Sequence, residues 1–395
     1  MRTRWGRVDD LRTGTALLFP EFAFELEAEL PEEVPHVLSA LDAHTKAGWW
    51  AVGFVSYEAA AGLGYSTEVG HPPEGVPLAW FGLTKTPRPV PVAAANGGAG
   101  YRVDDWAWGW NKEEHERRVN VVRDHIARGE TYQCNLTTRM NASISGDLSQ
   151  FYADLAHAQG GAYNTYLDCG RFAIVSASPE LFFEVADRRL RMKPMKGTAR
   201  RGHNPLEDRN QIARLRASEK EQAENIMIVD LIRNDMSRLS ENGSVTVTSL
   251  CEVEHFETVH QLTSEVSSEL RPDIGLLELF EALFPCGSVT GAPKRRTMSL
   301  IRELEEQPRG IYCGAVGVVA PPDTPVHARF NVAIRTAVID RNTATVVYGS
   351  GGGITWDSVA AQEYAELQDK AEVLRRTAET RYRDTIARCA KGTHI

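Results

Sequence analysis

Apolar residues gather into short unbroken runs at several places along the chain. Ala173-Ile174-Val175 and Leu181-Phe182-Phe183 are such runs, and Val245–Val247 and Val316–Val319 are of the same kind. Runs of this length predict strands buried on both faces. Arg329–Ile339 alternates instead. Phe330, Val332 and Ile334 fall to one side and Arg329, Asn331, Ala333 and Arg335 to the other, which predicts a strand with one polar face. Helical spacing occurs elsewhere. Between Lys112 and Gly129 it aligns Val119, Val122 and Ile126, with a glycine past the end. Ala217–Arg233 and Ser358–Arg376 also read as helices, and Pro293–Glu305 as one with proline in its first turn. Strands and helices mix without a regular strand-helix-strand rhythm, so the expected class is α+β.

The clearest break in composition is Thr84–Gly100. It holds Pro87, Pro89 and Pro91 and then turns rich in Ala and Gly, as a linker does. The chain is therefore read as an N-terminal segment, 1–103, ending in this linker, a main segment, 104–380, and a tail, 381–395. With 42% apolar and 25% charged residues among 395, the chain falls among globular proteins, which excludes collagen-like and disordered readings. A net charge of −9 argues against a general nucleic-acid binder, as does the lack of interleaved aromatic and basic residues. The six cysteines form no CxxC pair, so they are expected to be reduced thiols in a cytoplasmic protein. The arginines near Met1 are followed by no apolar core of a secretory signal. Trp49–Tyr65, the most apolar early stretch, is too short and polar to span a membrane.

Two of the predicted helices carry paired carboxylates. Glu221 and Glu224 share a face three residues apart, with Glu224 in line with Ile228 and Leu231. Glu363 and Glu366 repeat the spacing, in line with Val359, Lys370 and Val373, and Asp357 or Ser358 can cap the start. Four carboxylates from two helices suit a hard divalent cation such as Mg²⁺. The same residues also read as exposed decoration, with Glu366 and Lys370 an ordinary i,i+4 pair. Gly287–Lys294 bends into the Pro293 helix and offers backbone N–H groups and the hydroxyls of Ser288 and Thr290 to an anion; it reads equally as a plain turn. Four glycines within Tyr348–Ile354 allow positive φ and close backbone approach, as a carboxylate-binding nest or a hairpin turn would need. Arg335 suits bidentate capture of a carboxylate.

Taken in order, these runs resemble one family. The matching stretches are Thr131-Tyr132-Gln133-Cys134-Asn135-Leu136, Ser178-Pro179-Glu180, Pro194-Met195-Lys196-Gly197-Thr198, Ala223-Glu224-Asn225, Asp230-Leu231-Ile232-Arg233-Asn234-Asp235 and His260-Gln261-Leu262. Gly287–Lys294, Tyr312-Cys313-Gly314, Ala333-Ile334-Arg335, the Gly349–Gly353 run and Glu363-Tyr364-Ala365-Glu366 complete the series. Over about Trp106–Leu374 the chain resembles the chorismate-utilising enzymes, which include component I of anthranilate and aminodeoxychorismate synthases and the isochorismate and salicylate synthases. The N-terminal segment matches loosely, chiefly at Gly53–Glu58.

The resemblance implies the anthranilate synthase component I-like α+β fold, with two layered antiparallel sheets, helices outside and the active site between the sheets. It implies Mg²⁺ held between the substrate's ring carboxylate and Glu224 and Glu366, with Glu221 and Glu363 in support. Arg335 and Tyr312 would meet the enolpyruvyl carboxylate with the glycine run, Gly351 and Gly352 included. His260, Ser288, Thr290 and Lys370 would join Gln133 on the substrate-binding side. Lys196, Glu180 and Thr198 would be catalytic, Lys196 as nucleophile at ring carbon 2 and Glu180 as the acid that protonates the leaving hydroxyl. Lys196 also reads as a plain partner of a substrate carboxylate.

Lys196 stands where anthranilate synthases typically carry alanine, and Gln133 where water-adding members carry lysine. The resemblance therefore favours aminodeoxychorismate synthase component I, amination of chorismate at ring carbon 4 on the way to 4-aminobenzoate and folate, over anthranilate synthesis. No strained Gly-x-Cys-x-Gly elbow is present, so ammonia would come from a separate glutamine amidotransferase subunit. A non-catalytic amidotransferase-binding subunit is the reading from a different class; the presence of all six acidic and lysine site residues argues against it.

Overall fold

The computed structural model describes residues 3–95, 100–256 and 259–374. The expected tail at 381–395 and Cys389 lie outside the described residues. Two antiparallel sheets, of eleven and ten strands, stack face to face. Phe54, Trp80, Leu167, Ile174 and Val316 fill the space between them. Neighbouring residues of the same strands point the opposite way, as period two requires. Ala51 and Val55 pack outward on the ten-stranded sheet with helices Val34–Lys46, Glu219–Ser237 and Leu276–Leu283. Ala173 and Val175 pack outward on the other sheet with helix Leu148–Gln159. Burial on both faces is why these strands are apolar runs, and the α+β architecture is as expected.

The N-terminal segment is woven into both sheets. Strand Trp5–Asp10 pairs with Tyr163–Asp168, and Trp50–Val55 pairs with Ala315–Val319. Within the stretch expected to be a linker, Arg88–Val90 is an edge strand beside Thr15–Phe19. No helix among the described residues is long and apolar enough to cross a membrane.

Several expected elements differ in extent. The helix expected at Ala217–Arg233 runs Glu219–Ser237. Ser218 breaks it from a preceding helix, Pro205–Ala217, and its side chain accepts the Glu221 N–H at 3.3 Å. The strand expected at Val245–Val247 is longer, Thr246–His255. The last helix is described over 360–374, with Ser358 Oγ accepting the Thr355 N–H before it.

The strand expected at Arg329–Ile339 is two strands in different sheets. Ala328–Val332 belongs to the ten-stranded sheet and Thr336–Asp340 to the eleven-stranded one. The chain crosses between them through Arg335, at φ 52°. A second crossover lies alongside, where Phe172–Ser178 leaves one sheet and Leu181–Ala186 enters the other. Ser178 Oγ donates to Val332 O at 2.6 Å and Val332 N–H to Glu180 O at 3.1 Å, which ties the two crossovers together.

Candidate active site

A pocket of about 110 Å³ opens beside these crossovers. Glu180 and Arg335 enter it from the crossovers, and Lys196 and Thr198 from the edge strand Met195–Arg200. Glu221 and Glu224 enter from helix Glu219–Ser237, and Glu363, Glu366 and Lys370 from helix 360–374. Ser288, Tyr312 and Gly351 complete the predicted residues of its wall. Glu180 and Lys370, 190 positions apart in sequence, thus meet in one pocket at the corner where the chain changes sheets twice.

The glycine run is neither a turn nor a nest. It is the middle of strand Thr345–Ile354, paired residue for residue with Gln133–Gly146. None of its glycines has positive φ. They are needed for clearance. A Cβ on Gly349 would fall 2.3 Å from the Tyr312 ring, and one on Gly353 2.5 Å from Gln133 Nε2 and 3.0 Å from Lys196 Nζ. Apart from Ser350, whose hydroxyl donates to Leu367 O at 3.0 Å, the run is a floor without side chains. Gly352 adjoins Glu363 and Lys370, and Lys370 donates to Gly351 O at 2.8 Å.

Other predicted residues are set back from the pocket wall. Gln133 is fully buried beneath Gly353, and neither its amide oxygen nor its amide nitrogen has a hydrogen-bond partner. Thr290 is buried and turns its hydroxyl to Cys286 O at 3.0 Å, so it serves the turn rather than the wall. His260 is buried too, bonded to Asp208 and His255 at 2.8 Å each. Its strand neighbour Gln261 lines the pocket instead, as alternation along Val259–Glu269 demands. The polar face expected on the Arg329 strand also divides. Arg329 and Asn331 line a separate, largely apolar cavity of about 380 Å³ between the sheets, beside Leu17, Trp50 and Val316. Only Arg335, past the bend, reaches the first pocket. Lys220, Asn135 and Gln261 line that pocket unpredicted. Lys220 had a visible signal, four residues before Glu224.

The electrostatics follow from burial. The Glu180 carboxyl is pushed up to about 7 by burial, against the pull of the Ser288 hydroxyl, Lys196 and the Met195 backbone, and its Oε1 has no hydrogen-bond partner. Burial lowers the Lys196 amine; Lys370 lowers it further, while Glu224, Glu180 and Glu366 oppose the shift. A carboxyl near neutrality and a lysine eased toward its neutral form are the properties of a proton donor and a nucleophile.

Burial and the nearby Glu224 and Glu366 carboxylates push Glu221 up to about 7. Burial also raises Glu224, and burial with Glu366 raises Glu363. Glu366 is lowered, chiefly by Lys370 at 2.8 Å. Carboxylates that raise one another in this way form an all-oxygen donor set with surplus negative charge, which fits a hard divalent cation. As placed, they lean on lysines, and no three of the described acidic side chains already meet around a single point.

Comparison with known proteins agrees with this architecture. Residues 93–376 match the family model described as chorismate binding enzyme. The chain is 37% identical over 269 residues to aminodeoxychorismate synthase component 1 of Escherichia coli, covering 67% of this chain and 58% of that protein. It is 36% identical over 276 residues to anthranilate synthase component 1 of Aquifex aeolicus, covering 70% and 55% respectively. These matches span a little over half the length of the curated relatives. The crystal structure of anthranilate synthase component I from Streptococcus pneumoniae superposes with a TM-score of 0.77 at 27% identity, covering 92% of each chain. With the family model matched over most of its length and its two-sheet fold shared, the chain belongs to the chorismate binding enzymes.

Proposed function

We propose that the protein is the chorismate-aminating component of an aminodeoxychorismate synthase, replacing the hydroxyl at ring carbon 4 with an amino group. The observation that carries this reading is the presence of Lys196 and Glu180 in one pocket, with the amine lowered and the carboxyl raised by burial. Neutral Lys196 adds to ring carbon 2 as the carbon 4 hydroxyl departs, taking its proton from Glu180 to leave as water. Ammonia then adds at carbon 4 and Lys196 leaves carbon 2, so the net exchange is water for ammonia. Arg335 and Tyr312 meet the enolpyruvyl carboxylate, while Thr198 and Ser288 flank the reacting ring. The floor of Gly349–Gly353 lets the ring lie close against the backbone.

Glu224 and Glu366 would hold Mg²⁺, supported by Glu221 and Glu363; when bound, it neutralises the ring carboxylate. A separate glutamine amidotransferase subunit would supply the ammonia. Anthranilate synthesis is the second reading, favoured by relatives of that name at nearly equal identity.

The test is to incubate the purified chain with chorismate, Mg²⁺ and ammonium salt and to identify the product by mass and fluorescence. Aminodeoxychorismate, lost in Lys196→Ala, is expected. Fluorescent anthranilate from the wild type would replace the first reading with the second.

A further inference from the structure

Lys220 is a charge that the proposed chemistry leaves unused. It follows the first residue of helix Glu219–Ser237 and immediately precedes Glu221. Its Nζ is 3.8 Å from Glu224 Oε1, one turn along its own helix, and 3.8 Å from Glu363 Oε1 on the facing helix. Neither contact is a hydrogen bond. The ammonium is a point charge suspended between two carboxylates of different helices. The other lysines of the pocket are engaged elsewhere. Lys370 holds Glu366 and Gly351 O, each at 2.8 Å. Lys196 lies against Gly353 beside the Gln133 amide. Lys220 thus faces Glu221 and Glu224 on its own helix and Glu363 and Glu366 on the other, with Lys196 and Lys370 lining the same pocket. Its side chain is 36% exposed, so an open path to solvent lies next to it.

We propose that Lys220 is the built-in counter-ion of the Glu224–Glu363 pair, a positioning residue that holds the two helices together and yields its place when a divalent cation binds. This rests on the metal reading given above. A divalent ion drawing in those carboxylates cannot share the space with an ammonium 3.8 Å from both of them, because like charges at such range repel. A lysine stem is flexible and its ammonium well hydrated, so release toward water is easy. Lys220 therefore competes with the metal and sets its affinity.

The experiment is calorimetric titration of the full chain with Mn²⁺ alone, without chorismate, for the wild type, Lys220→Gln and Lys220→Arg. Thermal melts in chelator and in saturating Mn²⁺ accompany it. Lys220→Gln is expected to bind Mn²⁺ about tenfold more tightly, or about 1.4 kcal/mol, as expected for losing a partly exposed charge that makes two contacts. It should melt lower in chelator and gain more from Mn²⁺ than the wild type does. Lys220→Arg, which keeps the charge, should bind within about threefold of the wild type.

Equal or weaker Mn²⁺ binding by Lys220→Gln, beside a wild type that binds, overturns the inference and leaves the metal reading intact. A wild type that binds no Mn²⁺ overturns both. Should Lys220→Gln not fold, a structure of the Mn²⁺-loaded wild type decides. Lys220 Nζ withdrawn from both carboxylates supports the inference, and Nζ still between them overturns it.

Discussion

Replacing Glu180 by glutamine removes one titrating group from the interior and keeps its shape, which makes the environment of that group measurable. Burial raises the carboxyl from 4.5 to about 7 in the folded chain, while the unfolded chain returns it to the ordinary value. The sign follows from linkage. A folded pKa above the unfolded one means that the folded state holds its proton more tightly. The associated stability is full below about pH 4.5 and is lost as pH rises through about 7. At 1.36 kcal/mol per pKa unit, the loss amounts to about 3 kcal/mol, undiminished by solvent screening because the side chain is only 3% exposed. Glu58 and Glu221 are also raised to about 7, so the wild-type profile alone mixes several groups. The difference between the wild type and Glu180→Gln isolates one. Urea unfolding of both proteins at pH 5 and pH 8 is the assay. The variant should gain most of that 3 kcal/mol on the wild type as pH rises. A difference that stays flat would mean that Glu180 ionises freely in the folded chain, and it could not then serve as a protonated donor near neutral pH.

Further measurements address other parts of the structure. Gly353→Ala puts a methyl group 2.5 Å from Nε2 of buried Gln133 and 3.0 Å from Lys196 Nζ, so the melting temperature should fall and kcat should fall by about 100-fold; unaltered turnover would show that Lys196 position is not critical. Arg309→Met strands Glu305, which the guanidinium holds at 2.6 and 2.8 Å, and should cost about 3–5 kcal/mol by urea unfolding, partly recovered when Glu305→Gln is added. Glu224→Gln should raise the Mg²⁺ concentration needed for half-maximal turnover by at least tenfold; an unchanged requirement would remove Glu224 from the metal site.

Much of the site was legible because its chemistry rides on local periodicity. The spacing of Glu221 and Glu224, and of Glu363 and Glu366, puts each pair on one helix face wherever the helix lies. The apolar runs at 173–175, 181–183 and 316–319 were legible because strands buried on both faces have no polar alternation to confuse them. The sheet change at Arg335 was hidden, since Phe330, Val332 and Ile334 keep the strand period right up to the bend and no glycine marks it. The glycine run misled for the opposite reason. Its sequence matches a flexible turn, while the need for glycine arises from the Tyr312 ring, Gln133 and Lys196, far away in the chain. His260 and Gln261 differ only in which way the strand faces, which tertiary packing alone decides. Lys220 showed its i,i+4 relation to Glu224, whereas its approach to Glu363 on the facing helix lies beyond the reach of any pattern along one helix.

The interleaving of the N-terminal segment carries a practical consequence. The family match begins at residue 93, which invites trimming the gene to that boundary. Such a truncation would strip Trp5–Asp10 from Tyr163–Asp168 and Trp50–Val55 from Ala315–Val319. Ala315–Val319 is wholly apolar and Tyr163–Asp168 is mostly buried in the intact fold, and the open N–H and C=O rows of both would invite other chains to pair. The shortened product should therefore aggregate, although every residue of the pocket would still be encoded.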